Sequence, residues 1–564
     1  MAGLPIPTND QSLTRTMRIA EGVAVFAGGV ILAWLVQYYA GGLLDVDGFY
    51  HARMGDLYAK GVIQDAGEHY HWMRHSIFTE RFADKDYFWH LFLAPFTMVF
   101  GDDPAGLERA GMWGAAVAAG FIALVAVRVY RCHGLIAPAL WVALMMTASE
   151  TFIFRSAMCR SHVLSIAFAL LGWHLIATRA RLALIILAIF YTLTYTAPHL
   201  LLALAGMYWL VEAVSPENGA LQLANPRRYL RPLMPFGCAA LGIVIGALLH
   251  ANSENMIMLW VVQNLAVPLH SYGAHGVANW LGELVGFPVE YVEVTNLGME
   301  LNPPDGRELL SSHGIGVLLM IVPWIMASAL GVRPTRRDTF AWLCAFMTFA
   351  MFLANERFAE YFFPFAALAG GGMISRALIS EPVRDARQRS PMATRFAVAT
   401  VVLLVVVNVV ARPVSLHNMI SGRERGQYAG LGDAINKHVP KGEAVFHPDW
   451  HVFTMLLFYA PEHDYVVGLD PTFLALRSPL HFRAYMGMRS GEEKPGGLSQ
   501  TYDEIIHGLF DMEWVSVVPA NHDAFAKIFQ RIELKKHAVL VEADKNDKWR
   551  LYKLAPRPDK PASR

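Results

Sequence analysis

The sequence predicts a polytopic α-helical membrane protein, with about eleven transmembrane helices, that ends in a soluble α/β domain. Three observations carry this. Of 564 residues, 54% are hydrophobic and only 17% charged, and the mean hydropathy is positive, which is too oily for a soluble chain of this length. Long apolar runs recur as far as residue 412 and then stop. Arginines gather in alternate loops between those runs.

The first run, Ala20 to Ala40, follows Arg15 and Arg18 and is long enough to cross a bilayer. No small-x-small cleavage site follows it, so it reads as a retained signal anchor. Ten further runs lie near 108–127, 134–148, 162–178, 182–198, 199–214, 233–250, 313–332, 339–354, 360–378 and 395–412. The arginine clusters are Arg15/Arg18, Arg128/Arg131, Arg179/Arg181, Arg227/Arg228/Arg231, Arg333/Arg336/Arg337 and Arg384/Arg387/Arg389/Arg395. All fall on one side if the runs alternate, which makes that side and the N-terminus cytoplasmic. The expected location is the inner (cytoplasmic) membrane, with loops 41–107, 149–161 and 251–312 and everything after Arg412 outside. The string Tyr87 to Phe100 (YFWHLFLAPFTMVF) is short and aromatic, as suits a helix lying at the interface within the first external loop.

The domain expectation is therefore a transmembrane part, 1–412, and an external α/β part, 413–564. In the latter, EAVFH, VFTMLLFYA and YVVGLD read as strand, helix and strand, and WVSVVP followed by AFAKIFQRI repeats the order. The four cysteines are far apart and suggest neither a zinc site nor a disulfide framework. Net charge is zero, so no global basic field points to nucleic acid.

The expected external side collects the unusual charges. DVDGFYHARM (45–54) crowds Asp45, Asp47, His51 and Arg53 just past the first span. SETFIFRSAMCRSH gives Glu150, Arg155, Arg160 and His162, GMELNPPDG gives Glu300, and NERFAEY gives Glu356, Arg357 and Glu360. Charges near span ends often just snorkel to water. A set of loops returning to one face can instead build a mixed acidic and basic site where apolar helices meet solvent. HPDWH (447–451) has His-x-Asp-x-His spacing, compatible with a metal site or with turn residues after a strand.

DVDGFYHARM resembles the acidic motif in the first external loop of oligosaccharyltransferase catalytic subunits, members of the C-superfamily of membrane glycosyltransferases (GT-C). NERFAEYFFPFAALAG resembles that family's Arg-Phe-x-x-Tyr segment. The resemblance implies a GT-C architecture and transfer, with inversion, from a polyprenyl phosphate or pyrophosphate sugar to an acceptor on the external face. It makes Asp47 the principal acid, Asp45 its neighbour, and His51 and Arg53 supports. Arg357 becomes the donor phosphate anchor, with Glu300 as an acid from the long loop. Arg53, Arg155 and Arg160 are additional phosphate candidates, since a planar guanidinium matches phosphate oxygens. The resemblance also implies Mn²⁺ or Mg²⁺ at Asp47. Where the family's second loop has an acid pair, this chain has His162 and Leu164, and of these two only His162 can ligate a metal. The Trp-Trp-Asp motif that reads asparagine acceptors is absent, HPDWH being the nearest string.

The expected partners are a polyprenyl-linked donor, membrane lipid and an acceptor whose identity the sequence leaves open. Within enzymes the alternative is an oligosaccharyltransferase acting on asparagine. From another class, the alternatives are a transporter or flippase of lipid-linked sugars, against which stands the scarcity of ionisable groups inside the spans, and an inactive scaffold or sensor that keeps the fold.

Overall fold

The computed structural model describes residues 15–63, 70–214, 230–271, 273–286, 303–420 and 427–556. Glu300, Arg227 and Arg228 lie outside the described residues. The chain divides into two compact units, Met1–Leu44 with Met112–Leu249 and Gly298–Ser421, and Asp45–Gly111 with His250–Leu297 and Gly422–Arg564.

The described part of the first unit is helical. Five helices have the length and apolarity to cross a bilayer: Arg15–Tyr39, Pro104–Cys132, Arg231–Leu249, Arg336–Ala354 and Glu356–Ile379. Shorter apolar helices occupy His162–Thr178, Arg181–Thr194, Leu200–Ala213 and Gly314–Ala329. The run near 395–412 falls within the helix Pro391–Ile420. The run near 134–148 is helical only over the 9 residues Pro138–Met146. At 1.5 Å per residue that is roughly 14 Å, under half of a ~30 Å hydrocarbon layer.

Local chemistry sets the helix limits. Thr335 starts Arg336–Ala354 with a capping box: its hydroxyl accepts from the Asp338 amide at 3.3 Å, and the Asp338 carboxylate accepts from the Thr335 amide at 2.7 Å. Gly370 lets Ala359–Ile379 approach Gly314–Ala329 closely, since a Cβ there would stand 2.3 Å from the Leu319 carbonyl oxygen.

The second unit contains a five-stranded sheet of order β2-β1-β3-β5-β4. The strands are β1 (Ala444–Phe446), β2 (Asp464–Tyr465), β3 (Trp514–Val517), β4 (Ala538–Ala543) and β5 (Arg550–Leu554). β1 pairs in parallel with β2 and with β3, whereas β5 runs antiparallel to β3 and β4. Two of these strands and an intervening helix, Phe453–Tyr459, fall on EAVFH, YVVGLD and VFTMLLFYA. A third strand and the helix Asp523–Leu534 fall on WVSVVP and AFAKIFQRI.

The first predicted loop belongs to this unit. Met73 bridges Tyr465 in parallel, and the Tyr465 amide donates to Trp72 O at 2.8 Å while Tyr465 O accepts from the Arg74 amide at 2.8 Å. The otherwise open edge of β2 is thereby covered. The 14 residues Tyr87–Phe100 form a helix that buries Trp89, His90, Leu93 and Thr97 along one face and exposes Met98 and Val99.

Candidate active site

In the second unit, DVDGFYHARM folds into the start of the helix Val46–Ala59, with Asp45 as an extended N-cap and Asp47 in the first turn. A carboxylate in that turn is favoured by the helix dipole. Gly48 through Leu57 are all buried, which explains the aromatic pair Phe49-Tyr50 in a string otherwise rich in charge. The helix lies against Tyr87–Phe100 and Phe453–Tyr459. Gly55 sets the first of these contacts: a Cβ would meet Leu93 Cβ at 2.9 Å.

Asp47 and His51 are one turn apart, on one face of this helix. Behind His51 runs a buried chain. His51 Nδ1 is 2.8 Å from His90 Nε2, and His90 Nδ1 donates to Asp84 Oδ2 at 2.6 Å. Because the carboxylate only accepts, a neutral His90 presents its Nε2 lone pair, and His51 donates its Nδ1 proton to it. A neutral His51 is thus held with Nε2 as its acceptor nitrogen. Asp84 also accepts from Tyr58 Oη at 2.9 Å and from the Asp86 amide at 3.0 Å.

The sequence alone singles out neither Asp84 nor His90. The signal was present, since a histidine sharing a helix face with Trp89, Leu93 and Thr97 must find a polar partner inside. Asp84→Asn is expected to lower stability by about 1–3 kcal/mol, because the amide places a donor where three donors converge. Thermal unfolding of the full chain in lipid, with Tyr58→Phe as the milder comparison, measures it.

Arg53 is committed elsewhere. Its Nη1 donates to Asp56 Oδ2 at 2.9 Å, Nε donates to Phe458 O at 3.2 Å and Nη2 to the same carbonyl, and the guanidinium lies 5.5 Å from the Phe458 ring centroid. It fastens its helix to Phe453–Tyr459.

In the first unit the remaining site residues come together. Arg155, buried in the helix Glu150–Ser156, donates Nε and Nη2 to Glu360 Oε2 at 3.1 and 2.9 Å. His162 Nε2 donates to Arg155 O at 3.0 Å and stands 3.7 Å from Glu360 Oε2. The guanidinium charges of Arg155, Arg160 and Arg357 all act on His162. Arg357 is held by Asn355, whose side chain accepts from the Arg357 amide at 2.9 Å. Nearby segments are tied in as well: Glu356 accepts from Thr151 at 3.0 Å, and Arg412 donates to both Glu150 oxygens and to Ser311 O, each at 2.9 Å.

Three arginines and one buried carboxylate suit an anion rather than a cation. A metal at His162 would meet three like charges, and its Nε2 is already spent on a backbone carbonyl. Among the described residues no group of three or more His, Cys, Asp or Glu side chains is placed to hold a metal ion. His162 therefore does not fit the ligand role that the family resemblance gives it, and no step is routed through a metal.

HPDWH is a turn. The His447 ring donates Nδ1 to Asp449 O at 2.7 Å, while Asp449 Oδ1 accepts from the His451 amide at 3.1 Å.

No family model matches the sequence, and no curated protein is similar to it. Solved structures are. The apo oligosaccharyltransferase of Archaeoglobus fulgidus superposes with a TM-score of 0.58 at 10% identity, over 88% of this chain and 69% of that one. Archaeal AglB from the same organism, in complex with an inhibitory peptide and a dolichol-phosphate, gives 0.56 at 12% identity over 97% and 75%. ArnT from Cupriavidus metallidurans, bound to undecaprenyl phosphate, gives 0.52 at 14% identity over 96% and 100%. The chain shares its fold with these structures. At these identities the likeness fixes the architecture alone, and the chemistry rests on the side chains described above.

Proposed function

We propose that this chain is a membrane glycosyltransferase that moves a sugar from a polyprenyl phosphate or pyrophosphate to an acceptor on the external face of the membrane. The observation that carries it is the buried Arg155–Glu360–His162 cluster at the end of the His162–Thr178 apolar helix, with Arg160 two residues before His162 and Arg357 three before Glu360, in a fold shared with structures that bind dolichol-phosphate and undecaprenyl phosphate. A lipid-linked sugar presents its phosphate at the depth of a span end. Arg155 is paired with Glu360, and Arg160 and Arg357 are the guanidinium forks proposed to meet phosphate oxygens.

The reaction needs four things from the protein: an oriented acceptor, a proton acceptor, charge on the leaving phosphate and exclusion of water. The acceptor oxygen or nitrogen forms a bond to the anomeric carbon as the bond from that carbon to the phosphate oxygen breaks. Its proton goes to the Asp47 carboxylate, the electron pair leaves with the polyprenyl phosphate, and in-line attack inverts the centre. Asp45 keeps the local field negative, and His51, fixed in one tautomer, can relay the proton onward. An external C-terminal part and a cytoplasmic N-terminus complete the reading, which the alternating arginine clusters support. The sequence has no Trp-Trp-Asp string, which favours an acceptor other than asparagine.

The test supplies purified protein in lipid nanodiscs with labelled polyprenyl-linked sugars and an envelope extract as acceptor. Transfer of label is expected, and Arg357→Gln should weaken donor binding about tenfold, the value of a charged hydrogen bond. Donor that moves across proteoliposomes without losing its sugar would overturn the enzyme reading in favour of a carrier.

A further inference from the structure

The second unit carries a cavity of about 440 Å³ that the proposed transfer chemistry does not use. Its polar wall is built at the C-terminal ends of two neighbouring parallel strands. Asp449 and His451 follow β1, and Asn521 and His522 follow β3. From β1 the chain passes through Phe453–Tyr459 to β2 on one side, while β3 lies on the other. The crevice is therefore a topological switch point, where connections leave in opposite directions and open α/β sheets bind ligands.

The side chains there are planar hydrogen-bonding groups over a small apolar floor. Asp449 Oδ1 is 3.2 Å from His451 Nδ1, and Oδ2 is 3.2 Å from His522 Nε2. Burial pushes the Asp449 carboxyl up, but these two imidazoles more than offset it and hold the group ionised well below the usual carboxylate range. Asn521 Nδ2 donates to Tyr428 Oη at 3.0 Å across the same wall. Arg489, from the helix Pro479–Ser490, adds a guanidinium whose buried Nε has no hydrogen-bond partner among the described residues. With Asp449 set between two imidazoles, Arg489 supplies the cationic group of the wall for a ligand. Val46 and Met455 supply the apolar surface, and Val46 is the residue before Asp47.

We propose that this crevice binds a sugar unit bearing an oxyanion, a uronate or a sugar phosphate, as the recognised part of the acceptor. Arg489 takes the oxyanion in a forked contact, and the free nitrogens of His451 and His522 with the Asn521 amide take ring hydroxyls. Its place next to Asp47 rests on the transferase reading, whereas binding itself does not.

Calorimetry on the full chain in nanodiscs tests it, using methyl β-glucuronide, glucose 6-phosphate and neutral methyl β-glucoside up to about 50 mM, the range of single-sugar affinities. At least one anionic sugar should bind about tenfold more tightly than the glucoside, and Arg489→Gln should erase that difference, whereas Asp47→Asn should leave it. The glucuronide and phosphate arms distinguish the two oxyanions. Arg489→Lys, which keeps the charge and loses the fork, should fall between, and His451→Gln gives a second, half-exposed position that should weaken both anionic ligands. No preference for either anionic sugar in the wild type, or full preference in Arg489→Gln, overturns the proposal. Binding that persists in a chain shown to transfer nothing would remove the transferase reading alone.

Discussion

Asp47→Asn is expected to cut transfer from a polyprenyl-linked sugar by about 10²- to 10⁴-fold, the usual cost of losing an essential general base. Asparagine keeps the size and the N-terminal helix position of the aspartate and cannot accept the acceptor's proton. The loss should therefore appear in kcat, with the donor KM unchanged, because the proposed phosphate contacts are those of Arg160 and Arg357, not of Asp47. Unfolding temperature should also hold, since Asp47 is half-buried in the first turn rather than in the packed stretch Gly48–Leu57. Wild-type turnover in this variant would remove Asp47 from the mechanism. Turnover that returns at high pH would instead point to His51 as the working base, with its tautomer fixed by His90 and Asp84.

The second large effect is structural. Arg155 and Glu360 are almost wholly buried, with 4% and 1% of their side-chain surfaces exposed. Glu360→Leu removes the carboxylate that the Arg155 guanidinium meets in a low-dielectric interior, and should cost about 3–5 kcal/mol of stability. Adding Arg155→Leu should recover most of it, because two apolar side chains can pack where an ion pair stood. Thermal inactivation in mild detergent, scored for the single and double variants, checks both statements. A single variant as stable as wild type would mean that Glu360 does not compensate Arg155.

Much of the helical layout was readable because membrane crossing imposes length and apolarity that no other demand mimics. The run near 134–148 is helical only from Pro138 to Met146, because Gly134 and Ala137 take positive φ at its start, which hydropathy does not see. Asp47 and Arg357 stood out through their motifs. The buried partners of His51 and Arg155 did not, since His90 hides in an apolar string and Glu360 follows Arg357 like any loop acid. Asp449 was visible, but its second histidine is His522, on another strand end 73 residues away by the numbering. Local spacing cannot report a partner supplied by sheet topology.

The carbonyl that Arg53 grips belongs to a residue 405 positions later in the chain. At about 5–20 residues per second, Arg53 leaves the ribosome roughly 20–80 s before Phe458 exists. The segment carrying Asp47 is thus among the first to be synthesised and among the last to be locked in place. A nascent or truncated chain would hold its acid on an unfastened helix, so chemistry can begin only once translation has nearly finished.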